Sequence, residues 1–282
     1  MTLSVALRLG RVSNLPTVTS NVLAAIALSG AGAGWLHIAV VCFAMSLMYV
    51  AGMYLNDAFD RDIDARERPD RPIPSGEVAA ITVFGAGFGM LLAGILTIAA
   101  LAVTTGAGWR PIASASALAG LIVLYDMHHK GNRLGPLIMG LCRVGVYATA
   151  ALACGASLGR ALLVGCGALL CYLIGLTYVA KSENLRRIGA LWPLAFLAVP
   201  FVVGFPTTPV ATMIFIFFLL WTLRSLNFLR RRQIRDTVVG LIAGISLLDG
   251  LLVAGSDRPE LAFVAVAAFF ATALLQRAVP GT

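Results

Sequence analysis

Apolar residues run along this chain in long blocks, and polar residues gather in the short stretches between them. A helix needs roughly 20 mostly apolar residues to cross a bilayer. On that measure the blocks predict about ten spans, near residues 15–34, 36–56, 79–104, 111–127, 134–157, 160–180, 190–205, 209–227, 237–255 and 259–277, separated by charged or Gly/Pro-rich punctuation. The predicted fold class is all-α, a polytopic membrane protein.

Composition points the same way, with hydrophobic residues at 59% and charged residues at 12% of the chain and a mean hydropathy of +0.90. The formal charge of +8 would suit nucleic acid, but its distribution follows membrane topology instead. With the N-terminus inside, the inside loops hold every Lys and Arg except Arg110, Arg160 and Arg258 outside and Arg143 within a span. Nucleic acid is therefore not an expected partner, and the lipid bilayer is. The expected location is the cell inner or plasma membrane, with the N-terminus cytoplasmic. The first span is expected to be retained, since Arg8 and Arg11 precede it and its glycine-rich flank runs directly into the next apolar block. Cys42, Cys142, Cys154, Cys166 and Cys171 lie inside apolar blocks without C-x-x-C spacing, and read as small core residues.

One polar stretch stands apart. Seven of the 13 acidic residues fall between Asp57 and Glu77, in and just after NDAFDRDIDARERPDRPIPSG (56–76). Asp57, Asp60 and Asp64 stand at i, i+3 and i+7, with Asn56 on the edge of the stripe, so a continuing helix would converge three carboxylates on one side. Hard cations such as Mg²⁺ relieve that repulsion and keep positions open for substrate phosphates. A bland acidic loop laced with Arg61, Arg66, Arg68 and Arg71 is the competing reading.

The ordered pattern N-D-x-x-D-x-x-x-D followed by R-P-D-R-P-I-P-S-G resembles the first aspartate-rich motif of the UbiA superfamily of intramembrane prenyltransferases. That resemblance implies about nine to ten helices around a central cavity in a single domain over 1–282, with 259–282 an added C-terminal helix. It implies that Asp57, Asp60 and Asp64 hold Mg²⁺ against the diphosphate of an isoprenoid donor, with Asn56 beside them and Arg68 and Arg71 as phosphate or loop-ordering partners. The inside loop after the fourth span carries Tyr125 and Lys130, which resemble a family pair and make Lys130 a candidate diphosphate ligand. His128 and His129 are neighbours in sequence and point apart on a helix, against a metal site. The loop after the sixth span departs from the family. Where relatives carry a second aspartate-rich segment, this chain has Tyr178, Lys181, Glu183, Asn184, Arg186 and Arg187. That basic loop resembles the divergent EboC-like branch, and suits direct phosphate contacts.

Other polar side chains sit inside the apolar blocks. Asn21 either ties the first two helices together or points into the cavity, and the resemblance favours the cavity. Tyr49 is expected at the interface and Tyr54 on the cavity wall. Arg143 lies mid-span, where a charge needs a partner; Asp249 offers a structural pair, and a bound diphosphate offers a functional one, the reading favoured here.

By resemblance, then, the chain is expected to be an enzyme, a Mg²⁺-dependent prenyltransferase acting from an isoprenoid diphosphate on an unidentified acceptor. Two alternatives stay open: a lipid-binding relative that has lost catalysis, and a transporter, whose coupling carboxylates would lie nearer the membrane midplane.

Overall fold

The computed structural model describes residues 1–185, 192–256 and 258–279, the side chains of 182–185 excepted. Among the described residues there are twelve α-helices and no strand: α1 (Leu3–Leu9), α2 (Leu15–Ser29), α3 (Trp35–Phe59), α4 (Arg61–Glu67), α5 (Ala80–Thr105), α6 (Arg110–His128), α7 (Gly135–Ala153), α8 (Arg160–Leu185), α9 (Val199–Val203), α10 (Pro209–Arg230), α11 (Ile234–Val253) and α12 (Glu260–Ala278). Eight of them, α3, α5 to α8 and α10 to α12, are long and apolar enough to cross a membrane.

Two of the ten expected spans are shorter than the sequence suggested. The block at 15–34 is helical only to Ser29, because Gly30 turns left-handed at φ 68° and closes the helix. The block at 190–205 is described from Trp192 as a 3-10 turn (Trp192–Ala198) followed by α9. Pro193 and Pro200 each lack an N–H and deny that segment a continuous α-helical ladder.

Large apolar side chains such as Leu36, Phe43, Ile81, Leu96, Leu220 and Phe263 stay exposed on the outer surface. In water such a belt would be a liability; in a bilayer it is the surface that lipid covers. Lipid is as apolar as the helix faces, so helix association rests on close packing instead. Gly87 and Gly94, two turns apart on α5, provide it: a Cβ at Gly94 would lie 2.6 Å from Met48 Cγ, and one at Gly87 2.8 Å from Leu55, both on α3. The most enclosed helix is α11, which packs between α2, α8, α10 and α12.

The two ends of the bundle differ. At one end the segments after α3 and α6 meet the last turns of α8, as Asp60 contacts His129 and Lys130 and Lys181 of α8 donates to the Asn132 carbonyl. The chain ends join them there, with Gln276 of α12 donating to Asn14 at 3.0 Å. At the other end His37 bonds the Ala153 carbonyl at 2.9 Å, and Arg258 lies over Trp35 at 5.9 Å. Almost all the ionisable chemistry lies at the first end.

Candidate functional site

At that first end a cavity of about 600 Å³ runs down between α2, α3, α6, α7, α8 and α11. Its floor is apolar, formed by Val18, Met45, Met48, Leu118, Ile122, Val146, Leu173, Leu176, Val238 and Ile245. Its mouth carries Arg11, Arg68, Arg71, His129, Lys130 and Lys181 beside Asn56, Asp60 and Asp126. A second cavity, about 540 Å³ and bordered by Gly30, Gly165, Gly204 and Gly255, has no ionisable side chain on its wall among the described residues. The first is therefore where charge and apolar volume meet.

One face of α3 supplies the backbone of the site. Met45, Tyr49, Gly52, Asn56 and Asp60 recur every three or four residues and all line the cavity. Tyr54 falls off this face: it is buried and its hydroxyl donates to the Ala6 carbonyl of α1 at 3.2 Å. It is Tyr49, expected at the interface, that stands on the wall, and Tyr54 that does not. The reason is register, since Tyr49 stands two turns before Asn56.

The helix does not continue through the acidic stretch. It ends at Phe59, Asp60 caps it, and α4 begins at Arg61. The i, i+7 convergence of Asp57 and Asp64 survives this break, but it closes on a guanidinium and not around an open site. One nitrogen of Arg71 donates to Asp57 Oδ1 at 3.0 Å and to Asp64 Oδ2 at 2.7 Å, and Arg11 adds a bond to Asp57 Oδ1 at 3.1 Å. Arg71 is held in turn by its backbone, where Arg71 N–H donates to Arg68 O and Ser75 N–H to Arg71 O, and Gly76 takes φ 79° to end the turn. Both Asp57 and Asp64 are buried, and neither lines the cavity.

Asp60 is the member of the trio on the cavity wall. Its Oδ2 meets His129 Nε2 at 3.3 Å and Lys130 Nζ at 3.4 Å. The His129 ring stacks on Tyr125 at 4.9 Å, while His128 is exposed, so the adjacent histidines diverge as their spacing requires. Burial works to raise the Asp60 carboxyl, but the hydrogen bond and charge of His129, with Lys130 behind them, hold it below its ordinary value. Asp64 moves the other way: burial pushes it up, Arg71 opposes this, and the charges of Asp60 and Asp57 add to the rise. Burial works against the Arg11 charge too, but Asp57 above all more than offsets it and raises the guanidinium.

Deeper in, Arg143 lines the cavity at the level of Tyr49, over whose ring it lies at 5.2 Å. Seven residues separate Tyr49 from Asn56, a rise of about 10 Å. Arg143 donates to Asn21 Oδ1 at 2.9 Å and to Thr17 Oγ1 at 3.2 Å. Asn21 passes the contact on, donating to Asp249 Oδ2 at 2.8 Å. Asp249 also accepts from Ser20 and from the Tyr147 hydroxyl at 2.6 Å. Asn21 is fully buried and stands behind the cavity wall, so it acts on a ligand only through Arg143. Asp249 has both oxygens bonded, which leaves it closed to the coupling cation a transporter would need.

Of the other expected site residues, Lys130, Lys181, Arg68 and Arg71 reach the cavity mouth. Tyr178 does not: α8 turns Leu173, Leu176, Thr177, Ala180 and Lys181 to the cavity, and Tyr178 stands about 100° round from Thr177. The side chains of Glu183 and Asn184, and residues Arg186 and Arg187, lie outside the described residues. Sequence reading gave no site role to Arg11, Asp126 or His129. Asp126 alone announced itself, as an acid at the end of an apolar span, where such a group is a functional candidate by default.

The donor set at the mouth is hard oxygen. Among the described residues no three His, Cys, Asp or Glu side chains group so as to hold a metal ion. Mg²⁺ asks for less than that, usually one or two carboxylates with phosphate oxygens and waters completing the shell, and Asp60 on the wall meets that requirement. Of the expected trio, Asp57 and Asp64 are paired with Arg71 here, and Asp60 is the member open to the cavity.

Fold and site thus define a helical bundle, apolar enough to lie in a membrane, whose cavity has a mouth rich in basic side chains above an apolar chamber. The UbiA prenyltransferase family matches residues 16–189, and the chain belongs to that family. Over 125 residues it is 35% identical to digeranylgeranylglyceryl phosphate synthase of Methanothrix thermoacetophila, covering 42% of this chain and 46% of that one. Over 114 residues it is 36% identical to the protein of the same name from Methanosarcina mazei, covering 40% and 37%. The matched segments span less than half the length of these relatives. The apo structure of a UbiA homolog from Aeropyrum pernix K1 superposes with a TM-score of 0.70 at 15% identity over 86% of this chain and 97% of that one. A UbiA homolog from Archaeoglobus fulgidus bound to GPP and Mg²⁺ gives 0.53 at 13% identity over 98% and 87%; likenesses this remote in sequence speak for the fold.

Proposed function

We propose that this protein transfers a prenyl group from an isoprenoid diphosphate to an acceptor within the membrane. The observation that carries this reading is the joining, in one cavity, of a cationic mouth to an apolar floor. Such a cavity matches a molecule that is a diphosphate at one end and a hydrocarbon at the other. Arg68, Arg71, Lys130 and Lys181 give the diphosphate charge-assisted donors, and the methionine and aliphatic floor takes the chain. Prenyl-diphosphate chemistry in the family, and the Mg²⁺ and GPP bound by the Archaeoglobus homolog, support the same assignment.

Bond cleavage separates the prenyl C1 from the diphosphate oxygen, and the acceptor's nucleophile bonds to C1. A divalent cation, Mg²⁺ in this reading, would be held by Asp60 together with diphosphate oxygens and would neutralise charge on the leaving group. The chain's own part is preorganisation. Arg71 is fixed by Asp57 and Asp64 and so faces the leaving group without having to be ordered at the moment of reaction. The Tyr49 ring on the wall offers a π face to positive charge developing at the allylic carbon. The apolar chamber keeps water from that carbon. The basic-residue asymmetry supports a cytoplasmic mouth.

Purified protein incubated with prenyl diphosphates of several lengths, Mg²⁺ and a cell metabolite extract tests the proposal by mass spectrometry. A prenylated product with stoichiometric diphosphate release is the expected result, and it identifies the acceptor as well. No product at any chain length, from protein that is folded and monodisperse, sinks it.

A further inference from the structure

Four carboxylates stand at the cavity mouth, and they fall into two sets. Asp57 and Asp64 face Arg71 and Arg11 at 2.7 to 3.1 Å. Two carboxylates against two guanidinia already balance, and neither reaches the cavity wall. Asp60 and Asp126 do line the cavity, with Asn56 beside them. Asn56 lies one helical turn before Asp60 on α3 and reaches across to α6, donating to Asp126 Oδ1 at 3.1 Å.

That bond fixes the Asp126 carboxyl and leaves its second oxygen bare. Asp126 is 4% exposed, and Oδ2 is buried with no hydrogen-bond partner. Such an atom is rare, and leaving it so is costly. The cations around it are engaged elsewhere: Arg11 bonds Asp57, His129 and Lys130 approach Asp60, and Arg143 is bonded to Asn21 and Thr17. A carboxylate so buried favours its neutral form unless a cation meets it, and when ionised it only accepts, so a donor or a cation arriving through the cavity would complete Asp126. Hard divalent cations suit a pair of carboxylates with phosphate oxygens filling the remaining positions.

We propose that Asp126, with Asp60, is a ligand of the divalent cation that meets the donor's diphosphate, so that the cation is held between α3 and α6. The identity of the diphosphate rests on the prenyl-transfer reading; the cation contact does not. This placement gives a physical reason for the basic character of the stretch after α8. A carboxylate supplied from α6 relieves that stretch of holding a cation, and frees Lys181 to act on phosphate directly.

Mn²⁺ binding to the full-length protein in detergent, followed by EPR with and without inorganic pyrophosphate, tests the assignment. Asp126→Asn keeps the shape and the Asn56 contact but removes the charge. It should weaken Mn²⁺ by roughly tenfold or more, while Asp126→Glu, which shifts the carboxylate by one methylene, should fall between it and the wild type. Glu183→Gln should bind as the wild type does. Unchanged Mn²⁺ affinity in both Asp126 variants overturns the proposal, as does absence of Mn²⁺ binding by the wild type even with pyrophosphate. Should Asp126→Asn fail to fold, Asp126→Glu decides alone. Turnover is scored separately: wild-type product formation with unaffected Mn²⁺ binding in the variants rejects this inference and spares prenyl transfer. The reverse pattern spares the cation site and rejects prenyl transfer.

Discussion

Arg143 and Asp249 meet through Asn21, whose carbonyl oxygen takes the guanidinium at 2.9 Å and whose amide nitrogen gives to the carboxylate at 2.8 Å. The two charges are thus neither a direct pair nor independent. Arg143 keeps a side open to the cavity, whereas Asp249 is fully buried and triply bonded.

The two should therefore respond differently to neutralisation. Asp249→Asn sets amide hydrogens against donors from Asn21, Ser20 and Tyr147, and should cost about 1–3 kcal/mol. Arg143→Gln can still donate to Asn21 and should cost about 1 kcal/mol or less, while weakening binding of a prenyl diphosphate. Thermal unfolding in detergent, alongside donor binding, checks both. Equal destabilisation by the two single variants, with no further loss in the double variant, would make the pair structural and remove Arg143 from substrate binding.

Asp60 and Asp64 should show opposite pH dependences in metal-free protein. Asp60 is held below its ordinary value, so its stabilising contribution is present above the unfolded value, near 3.9, and is lost as pH falls through the lower folded one. Asp64 is raised, so its contribution is complete below the unfolded value and lost as pH rises through the folded one. At pH 7 Asp60→Asn should lower the melting temperature, and that loss should shrink on acidification, whereas any loss in Asp64→Asn, which unpairs Arg71, should not shrink in the same way. Melting curves from pH 3 to pH 8 give the answer. Losses of the same size and the same pH profile in the two variants would contradict the electrostatic account.

A third expectation concerns orientation: the segments containing Asp60, Lys130, Glu183 and Arg231 all face the cytoplasm. The first two are joined by a direct contact, and Lys181 ties α8 to the segment holding Lys130. The side itself is inferred from the distribution of Lys and Arg. Single cysteines placed in each segment, in a background lacking the native five, should resist an impermeant thiol reagent in intact cells and react after lysis. Labelling of any of the four from outside reverses the assignment.

The helices were legible because a run of about 20 apolar residues has few other uses, and the acidic cluster was legible because its order is unusual. What sequence periodicity missed was made by distant residues. Arg11 reaches Asp57 across 46 positions and Asn56 reaches Asp126 across 70, and no local spacing encodes either. Asp57 and Asp64 do converge, but on Arg71, and Asp60 stands apart from them on the cavity wall, where the chain ends α3 at Phe59 and restarts at Arg61. Tyr49 was misplaced by a general rule about interfaces, although its i, i+7 relation to Asn56 already put both on one face.

The last prediction separates the acidic segments by function. Asp60 lines the cavity and has a lowered carboxyl, ready to meet a cation at neutral pH. Asp57 and Asp64 act at one remove, by fixing Arg71. Glu183 is surrounded in sequence by Lys181, Arg186 and Arg187, which attract phosphate and repel a second cation. Asp60→Asn should therefore abolish Mg²⁺-dependent donor binding and turnover. Asp64→Asn should loosen Arg71 and weaken donor binding by roughly tenfold, the size of one lost charged contact, while leaving the Mg²⁺ dependence in place. Glu183→Gln should retain most of both. Donor binding measured by calorimetry across a Mg²⁺ series distinguishes these, because a lost cation ligand changes the metal dependence whereas a displaced arginine changes only the plateau. Comparable losses in Asp60→Asn and Glu183→Gln, with metal titration showing a site removed by the latter, would reject the ranking. Donor binding that needs no Mg²⁺ and is unchanged in all three variants would go further, and remove metal-dependent transfer as the function of this cavity.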